Sequence, residues 1–155
     1  MKQCLGGYVA QRIPIFLLVA SIGTAAGLCA AAQSIETAHL RFAVSPDTGR
    51  YELTDKQAGV TWGSNPFQPR FGQAALSVGG KTRRVSLDRC EVERAGTGLV
   101  VTFAPLTDNP GVRLRVHVRP LAGDRALEFG YEADPALAVE SMRLLDEALW
   151  TMDAE

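Results

Sequence analysis

Strict alternation of apolar and basic residues over VRLRVHVR, residues 112–119, constrains this chain more than any other feature. Every second position is Val or Leu, and the positions between them are Arg113, Arg115, His117 and Arg119. Successive side chains of a β-strand point to opposite faces, whereas a helix would scatter both sets around its axis. The segment is therefore predicted to be a strand with one apolar face and one basic face.

Neighbouring segments follow the same period of two. RALEFGYEA, residues 125–133, puts Leu127, Phe129 and Tyr131 on one face, and RCEVER and LVVTF alternate in the same way upstream. Short stretches rich in turn-forming residues, AGTG, LTDNPG and PLAGD, separate these segments. The pattern predicts a four-strand meander over about residues 88–133.

The first half of the domain reads as further hairpins. PDTG places Pro46 and Gly49 at turn positions that suit them, YELTDKQAGVTWGSNP reads as one hairpin, and Gly79-Gly80 reads as a tight turn. Short strands separated by turns every 8 to 12 residues or so are typical of antiparallel sheets packed face to face. The predicted fold class is all-β, an antiparallel β-sandwich of the supersandwich type.

The C-terminal part is less regular. ALAVESMRLLDEALW, residues 136–150, is compatible with a helix or a strand, and we favour a strand because the sheets need partners. The chain stops at LWTMDAE without a closing turn or a polar tail, which favours an incomplete sandwich.

The N-terminal 32 residues have the features of an export signal. Lys2 and Arg12 precede an uncharged, largely apolar stretch, and the small residues Ala30 and Ala32 come before Gln33. This order is typical of a signal peptide with an A-x-A cleavage site. We expect residues 1–32 to be a signal peptide cleaved near Ala32, residues 33–155 to be the β-sandwich domain, and the protein to be secreted or periplasmic.

Two alternatives for the leader stay open. An uncleaved anchor is one, because about 20 apolar residues can span a bilayer. Lipidation of Cys29 is the other, although Leu28 stands where that signal requires a small residue. Contact with a membrane is expected only through an uncleaved leader.

Charge and cysteine content exclude several classes of function. The chain has 16 Lys and Arg against 17 Asp and Glu, and removal of Lys2 and Arg12 with the leader leaves a net charge of −3. Such a chain has no basic excess with which to bind phosphates, so no nucleic-acid partner is expected. Cys90 is the one cysteine beyond the leader, and a single thiol makes neither an internal disulfide nor a zinc site.

The candidate site residues are Trp62, Arg113, Arg115 and His117, all considered for carbohydrate binding. The basic face of the arginine strand either presents planar donors to a ligand or pairs with Glu91, Glu93, Glu128 and Glu132 on neighbouring strands; the second reading is favoured. Trp62 is either a sugar platform or a core residue, and its alternation with Thr61 and Gly63 favours the core.

No arrangement of residues predicts a reaction. The aspartates lie in or beside turns, no G-x-S-x-G elbow is present, and the paired glycines fall between strands. We expect no catalytic residue, no metal and no cofactor in this chain.

The order FAVSPDTGRYELTDKQAGVTWGS, residues 42–64, resembles the start of an N-terminal β-sandwich domain found in large secreted glycoside hydrolases. These domains are similar in fold to galactose mutarotase and precede the catalytic barrel. The likeness covers residues 40–103, and its matching residues are Phe42, Val44, Gly49, Tyr51, Leu53, Thr54, Asp55, Gly59, Trp62 and Ser64.

The resemblance implies a supporting domain that packs against a barrel and helps to shape a sugar site. The catalytic carboxylates of such enzymes lie in the barrel, so no catalytic residue carries over to this chain. The expected function is that of an exported, noncatalytic module of a glycoside hydrolase-like protein, with a carbohydrate and a catalytic barrel or partner protein as partners. The alternative is a free-standing periplasmic or surface module that binds a glycan or a protein.

Overall fold

The structure is a computed structural model that describes residues 31–145 and 150–151. The predicted signal peptide lies outside these residues except for its last two positions, 31 and 32. The described residues form strands and no helix. In chain order the strands are β1 Gln33–Glu36, β2 Leu40–Val44, β3 Tyr51–Asp55, β4 Val60–Gly63, β5 Gly72–Val78, β6 Lys81–Leu87, β7 Cys90–Ala95, β8 Gly98–Phe103, β9 Leu114–Pro120, β10 Leu127–Ala133, β11 Ala138–Leu144 and β12 Trp150–Thr151.

The strands form three sheets, and all their pairings are antiparallel. A five-stranded sheet has the order β1-β2-β3-β4-β12, a four-stranded sheet has the order β10-β9-β8-β7, and a three-stranded sheet has the order β11-β5-β6. The predicted all-β, antiparallel sandwich-like fold is confirmed. The four-strand meander is confirmed as β7 to β10, and the segment that was ambiguous between helix and strand contains β11.

One hydrophobic core joins the three sheets. Alternate residues of the five-stranded and four-stranded sheets face it, and apolar residues of the three-stranded sheet and of the loops complete it. Its buried members are Ile35, Phe42, Val44, Tyr51, Phe71, Ala74, Leu76, Leu87, Leu99, Val101, Phe103, Leu106, Val112, Leu114, Val116, Val118 and Leu137.

Phe71 lies at the point where the three sheets meet. Its ring centroid is 6.3 Å from those of Phe42 and Tyr51 in the five-stranded sheet and 5.6 Å from that of Phe103 in the four-stranded sheet. Its backbone joins the three-stranded sheet, because its N–H donates to the carbonyl of Leu87 at 2.7 Å and its carbonyl accepts from Leu145 N–H at 2.9 Å. One residue therefore links all three layers.

Gly49 ends the turn between β2 and β3 in a conformation that favours glycine. Its φ is +63°, and a Cβ at this position would lie 2.7 Å from the carbonyl oxygen of Leu87 and 2.9 Å from that of Asp88. The turn predicted from PDTG thus packs directly against the end of β6, where backbone approaches backbone.

The arginine strand begins later than its sequence pattern predicts. Val112 is buried, but its N–H donates to the carbonyl of Asn109 at 3.2 Å, and β9 starts at Leu114. A local turn takes the hydrogen bond that a strand pairing would have used. The alternation of apolar and basic side chains therefore begins at Val112, two residues before the first residue of β9.

Candidate functional site

A groove runs across the outer face of the four-stranded sheet. Register places Gly130 of β10 opposite His117 of β9, and Glu128 opposite Arg119. Gly130 and Gly98 contribute no side chains, so the sheet surface is low between the longer side chains around them. The groove has a volume of about 410 Å³, and its lining includes His117, Arg119, Glu128, Gly130 and Glu132.

The charged side chains of the groove, together with Arg115 next to it on β9, pair across β9 and β10. Arg119 Nε donates to Glu128 Oε2 at 2.5 Å, and Arg115 Nη1 lies 3.6 Å from Glu132 Oε1. His117 Nε2 lies 3.7 Å from Glu132 Oε2. These pairs are exposed and contribute about 0 to 1 kcal/mol each to stability, so their main effect is to hold the side chains in place.

The pairing confirms one part of the prediction for the basic strip and contradicts another. Glu128 and Glu132 pair with β9 as predicted. Pairing with Glu91 and Glu93 is wrong, because these residues lie on β7 and β8 separates β7 from β9. The acidic residues that pair with the basic strip therefore come from β10, which is directly hydrogen-bonded to β9.

Arg113 lies apart from the groove. It precedes β9, and its guanidinium donates to the carbonyl oxygen of Pro110 in the preceding loop. It borders a separate shallow depression with Arg89, Cys90 and Glu91. Of the three basic residues proposed from the sequence, Arg115 and His117 therefore both lie beside Glu132, and Arg113 does not.

Trp62 is on a different sheet from the basic strip. It lies opposite Leu53, which lies opposite Phe42, so its side chain is on the core-facing side of the five-stranded sheet, as its alternation predicts. It is only partly buried and is not a member of the buried core. The structure does not bring Trp62 together with Arg115 and His117.

The candidate site residues from the sequence did not include several residues that line the groove: Gly98 and Gly130, which were not considered, and Arg119 and Glu128, which were considered only as a basic face and its partner. One signal was available, because Gly130 removes a side chain from the outer face of a strand that otherwise alternates regularly. Gly98, the other glycine of the groove, gave no such signal, because it directly follows Ala95-Gly96-Thr97 and the sequence pattern assigns it to that turn.

Cys90 is the free cysteine of the described domain, and it is held as a thiol. Its Sγ donates to the carbonyl oxygen of Pro46 at 3.7 Å. Burial, and to a lesser extent the nearby carboxylates of Asp47 and Asp88, raise the pKa of Cys90 to about 12. The thiolate, which is the nucleophile, is correspondingly rare at neutral pH.

We therefore expect iodoacetamide to alkylate Cys90 in the folded chain about a thousandfold more slowly than an ordinary exposed thiol at pH 8, because the reactive thiolate fraction falls tenfold for each unit of pKa. Peptide mapping by mass spectrometry measures this rate and separates Cys90 from Cys4 and Cys29. The same chain in denaturant is the control, and Cys90 should react there at the ordinary rate. Equal rates with and without denaturant would contradict the prediction.

The described residues hold no group of three or more His, Cys, Asp or Glu that could bind a metal ion. Within residues 31–145 and 150–151 there is also no helix long and apolar enough to cross a membrane.

Comparison with known proteins adds no relative to this description, because no family profile matches the chain and no curated protein is detectably similar to it. The fold defines its class, an all-β protein of antiparallel, sandwich-like sheets with a groove on one outer face.

Proposed function

We propose that this chain is an exported, noncatalytic β-sandwich module of a glycoside hydrolase-like protein, and that it binds carbohydrate in the groove on its four-stranded sheet. The observation that carries the proposal is the groove itself, which lies on the outer face of the four-stranded sheet and has paired polar side chains along it. The likeness of residues 40–103 to the sandwich domains of secreted glycoside hydrolases supports the same class of ligand.

The charges of the groove favour a neutral ligand. Arg119 is paired with Glu128, and Arg115 and His117 adjoin Glu132, so neither sign of charge is left in large excess. Carboxylates that already accept from cations still have free lone pairs, and a guanidinium has five N–H donors in total. Such a surface offers both donors and acceptors, which a polyhydroxylated ligand matches and a simple anion does not.

In this proposal the catalytic residues belong to a partner barrel and not to this module. The resemblance places the catalytic carboxylates of such enzymes in a barrel domain, so the module would act by holding or positioning the glycan. Its substrate-processing partner would be that barrel, within the same protein or as a separate one.

Filling the groove tests this proposal without disturbing the core. A Cβ at Gly130 would meet no atom within 4 Å, and its φ is not in the left-handed region, so Gly130→Leu should fold normally. Its side chain would occupy the floor of the groove, and we expect at least a tenfold loss of affinity, which corresponds to about 1.4 kcal/mol. Affinity electrophoresis of the full chain in gels with neutral xylan, glucan, galactan or mannan measures this retardation.

The matched control is Gly111→Leu, which adds the same side chain to an exposed loop away from the groove, where a Cβ has only one contact at 3.7 Å. It should be retarded like the parent. Equal retardation of Gly130→Leu and the parent would overturn the assignment of the groove, and absence of retardation of the parent on every neutral glycan would overturn the proposed function.

One observation favours the alternative of a protein-binding module. Phe67 is 85% exposed in the loop between β4 and β5, between Pro66 and Pro69, and its N–H donates to Asn65 Oδ1 at 2.9 Å. A ring displayed on a loop held by an Asx turn and two prolines is a suitable anchor for a partner protein. Phe67→Ala distinguishes the two functions, because it should weaken binding of a partner protein and leave glycan retardation unchanged.

A further inference from the structure

A second cleft lies on the outer face of the three-stranded sheet, and its arginines are unpaired among the described residues, whereas the charges of the groove are paired. Register places Arg143 of β11 and Ser86 of β6 on either side of Gln73, and it places Ser141 and Arg84 on either side of Ala75. All these side chains are on the solvent-facing side, because Ala74 and Leu76 between them face the core. Arg84 and Arg143 line one cleft of about 100 Å³ with Gln73, Ala75 and Ser141.

The two arginines of this cleft lack the partners that other arginines have. Arg83 and Arg119, for example, each bind a carboxylate, at 2.6 Å and 2.5 Å. Arg84 and Arg143 form no ion pair and no side-chain hydrogen bond with any residue that the structure describes. Their N–H donors are therefore directed to solvent or to a ligand.

Glu140, the acidic residue at the bulge of β11, is bound to β6. It accepts a hydrogen bond from Thr82 Oγ1 at 2.6 Å. Thr82 lies opposite Ser77, which is two residues along β5 from Ala75 on the same face. Glu140 forms no ion pair with Arg84 or Arg143 among the residues that the structure describes.

The spacing of the two arginines suits one bound group. Their Cα atoms are two strands and two residues apart, which is about 12 Å from ordinary sheet dimensions. Arg84 lies directly beside Ala75, and Arg143 lies diagonally across from it, beside Gln73. Both long side chains can reach a group above Ala75, because its methyl group leaves that space open. The amide of Gln73 and the hydroxyl of Ser141 provide further donors at the floor and side.

From this arrangement we propose that the cleft binds a single oxyanion group, a carboxylate or a sulfate, carried on a larger ligand that extends into solvent. A guanidinium presents its donors as a planar fork that matches the oxygens of such groups, and two guanidinium groups can bind different oxygens of the same group. A volume near 100 Å³ accommodates the anionic group and excludes a whole sugar ring or peptide. The inference is independent of the groove on the four-stranded sheet.

Nuclear magnetic resonance of the isotope-labelled full chain tests the proposal. The Nε–H signals of Arg84 and Arg143 are followed while sodium sulfate or sodium glucuronate replaces sodium chloride at constant ionic strength. We expect both signals to shift together and to saturate with a Kd of about 1 to 10 mM, as is ordinary for a small exposed site. Saturation with glucuronate alone assigns a carboxylate, and saturation with sulfate assigns a tetrahedral oxyanion; either supports the proposal.

Substitutions test whether Arg84 and Arg143 form one shared anion site or only attract anions as any surface arginine does. Arg84→Gln and Arg143→Gln should each weaken the saturating anion about tenfold, the value of one charge-assisted pair of hydrogen bonds. Arg84→Lys should recover part of the loss, because it restores the charge without the fork. Arg125→Gln, an exposed arginine of the β9–β10 turn, is the matched control and should bind like the parent.

Two results would overturn the proposal. One is a shift that increases linearly with both anions and never saturates. The other is an equal response of Arg84, Arg143 and Arg125, which would mean that the anions screen charge everywhere on the surface. All three arginines are exposed, so loss of folding is not expected to obscure the comparison.

Discussion

Replacement of Phe71 by alanine is expected to lower the free energy of unfolding by about 3 to 5 kcal/mol, the range for a fully buried phenylalanine. Phe71 has no exposed surface, and its ring packs against Phe42, Tyr51 and Phe103. These rings belong to two sheets, and the backbone of Phe71 joins the third. Neighbours fixed by three separate hydrogen-bonded sheets cannot easily close the cavity, so the loss should fall in the upper part of the range.

The sequence contains a matched control four residues earlier. Phe67→Ala removes the same side chain from a position that is 85% exposed, and we expect a change of less than about 0.5 kcal/mol. Urea unfolding of both variants, followed by tryptophan fluorescence and far-ultraviolet circular dichroism, measures the two effects. A loss below about 1 kcal/mol for Phe71→Ala would contradict the packing of three sheets around this ring.

Replacement of Gly49 by alanine is the second large effect, and we expect a loss of about 2 to 5 kcal/mol. One part is the left-handed backbone, φ +63°, which costs a residue with a Cβ about 1 to 2 kcal/mol. The other part is overlap, because the new Cβ would lie 2.7 Å from the carbonyl oxygen of Leu87. Backbone atoms cannot rotate away as a flexible side chain does, and overpacking of this kind costs about 1 to 3 kcal/mol.

Gly59→Ala separates the two parts. Gly59 ends the β3–β4 turn with φ +69°, and a Cβ there would have no atom within 4 Å. Its loss should therefore equal the backbone term alone, about 1 to 2 kcal/mol. The same unfolding measurement compares them, and equal losses for the two variants would show that the end of β6 moves away from Gly49 at little cost.

Exposed ion pairs link turns and loops to strands at the surface without deciding stability. Asp108, in the loop between β8 and β9, binds Arg83 of β6 at 2.6 Å, and this hydrogen bond lowers the pKa of the Asp108 carboxyl. Glu36 is held in the same way by Lys56 at 3.0 Å, which lowers the pKa of Glu36. A carboxyl of lowered pKa contributes its stabilisation above its unfolded pKa and loses it as the pH falls through the folded value, so these ties weaken only in acid.

Much of the fold follows from local pattern. The period of two at residues 112–119 fixed both the strand and its two faces, and PDTG and Gly79-Gly80 predicted the turns that the structure contains. These features depend on neighbouring residues alone, because the pleat sends alternate side chains to opposite faces and a tight turn needs φ values that only certain residues tolerate.

The candidate sites depend on contacts that the pattern does not encode. The sequence offered four glutamates to the arginine strand, and only the order β10-β9-β8-β7 decided that Glu128 and Glu132 reach it. Trp62 was placed on the correct face by alternation, but alternation did not indicate that this residue is only partly buried. Exposure is a property of what covers a residue, and the covering residues are distant in the chain.

The sequence by itself determined the all-β class, the meander, the hairpin turns and the inward or outward direction of most strand residues. Tertiary structure alone decided which strands became neighbours, and so it placed Gly130 beside His117 and brought Arg84 and Arg143, 59 residues apart, onto one cleft. The physical reason is that side-chain direction is set within a strand, whereas strand order and register are set by burial of a common core.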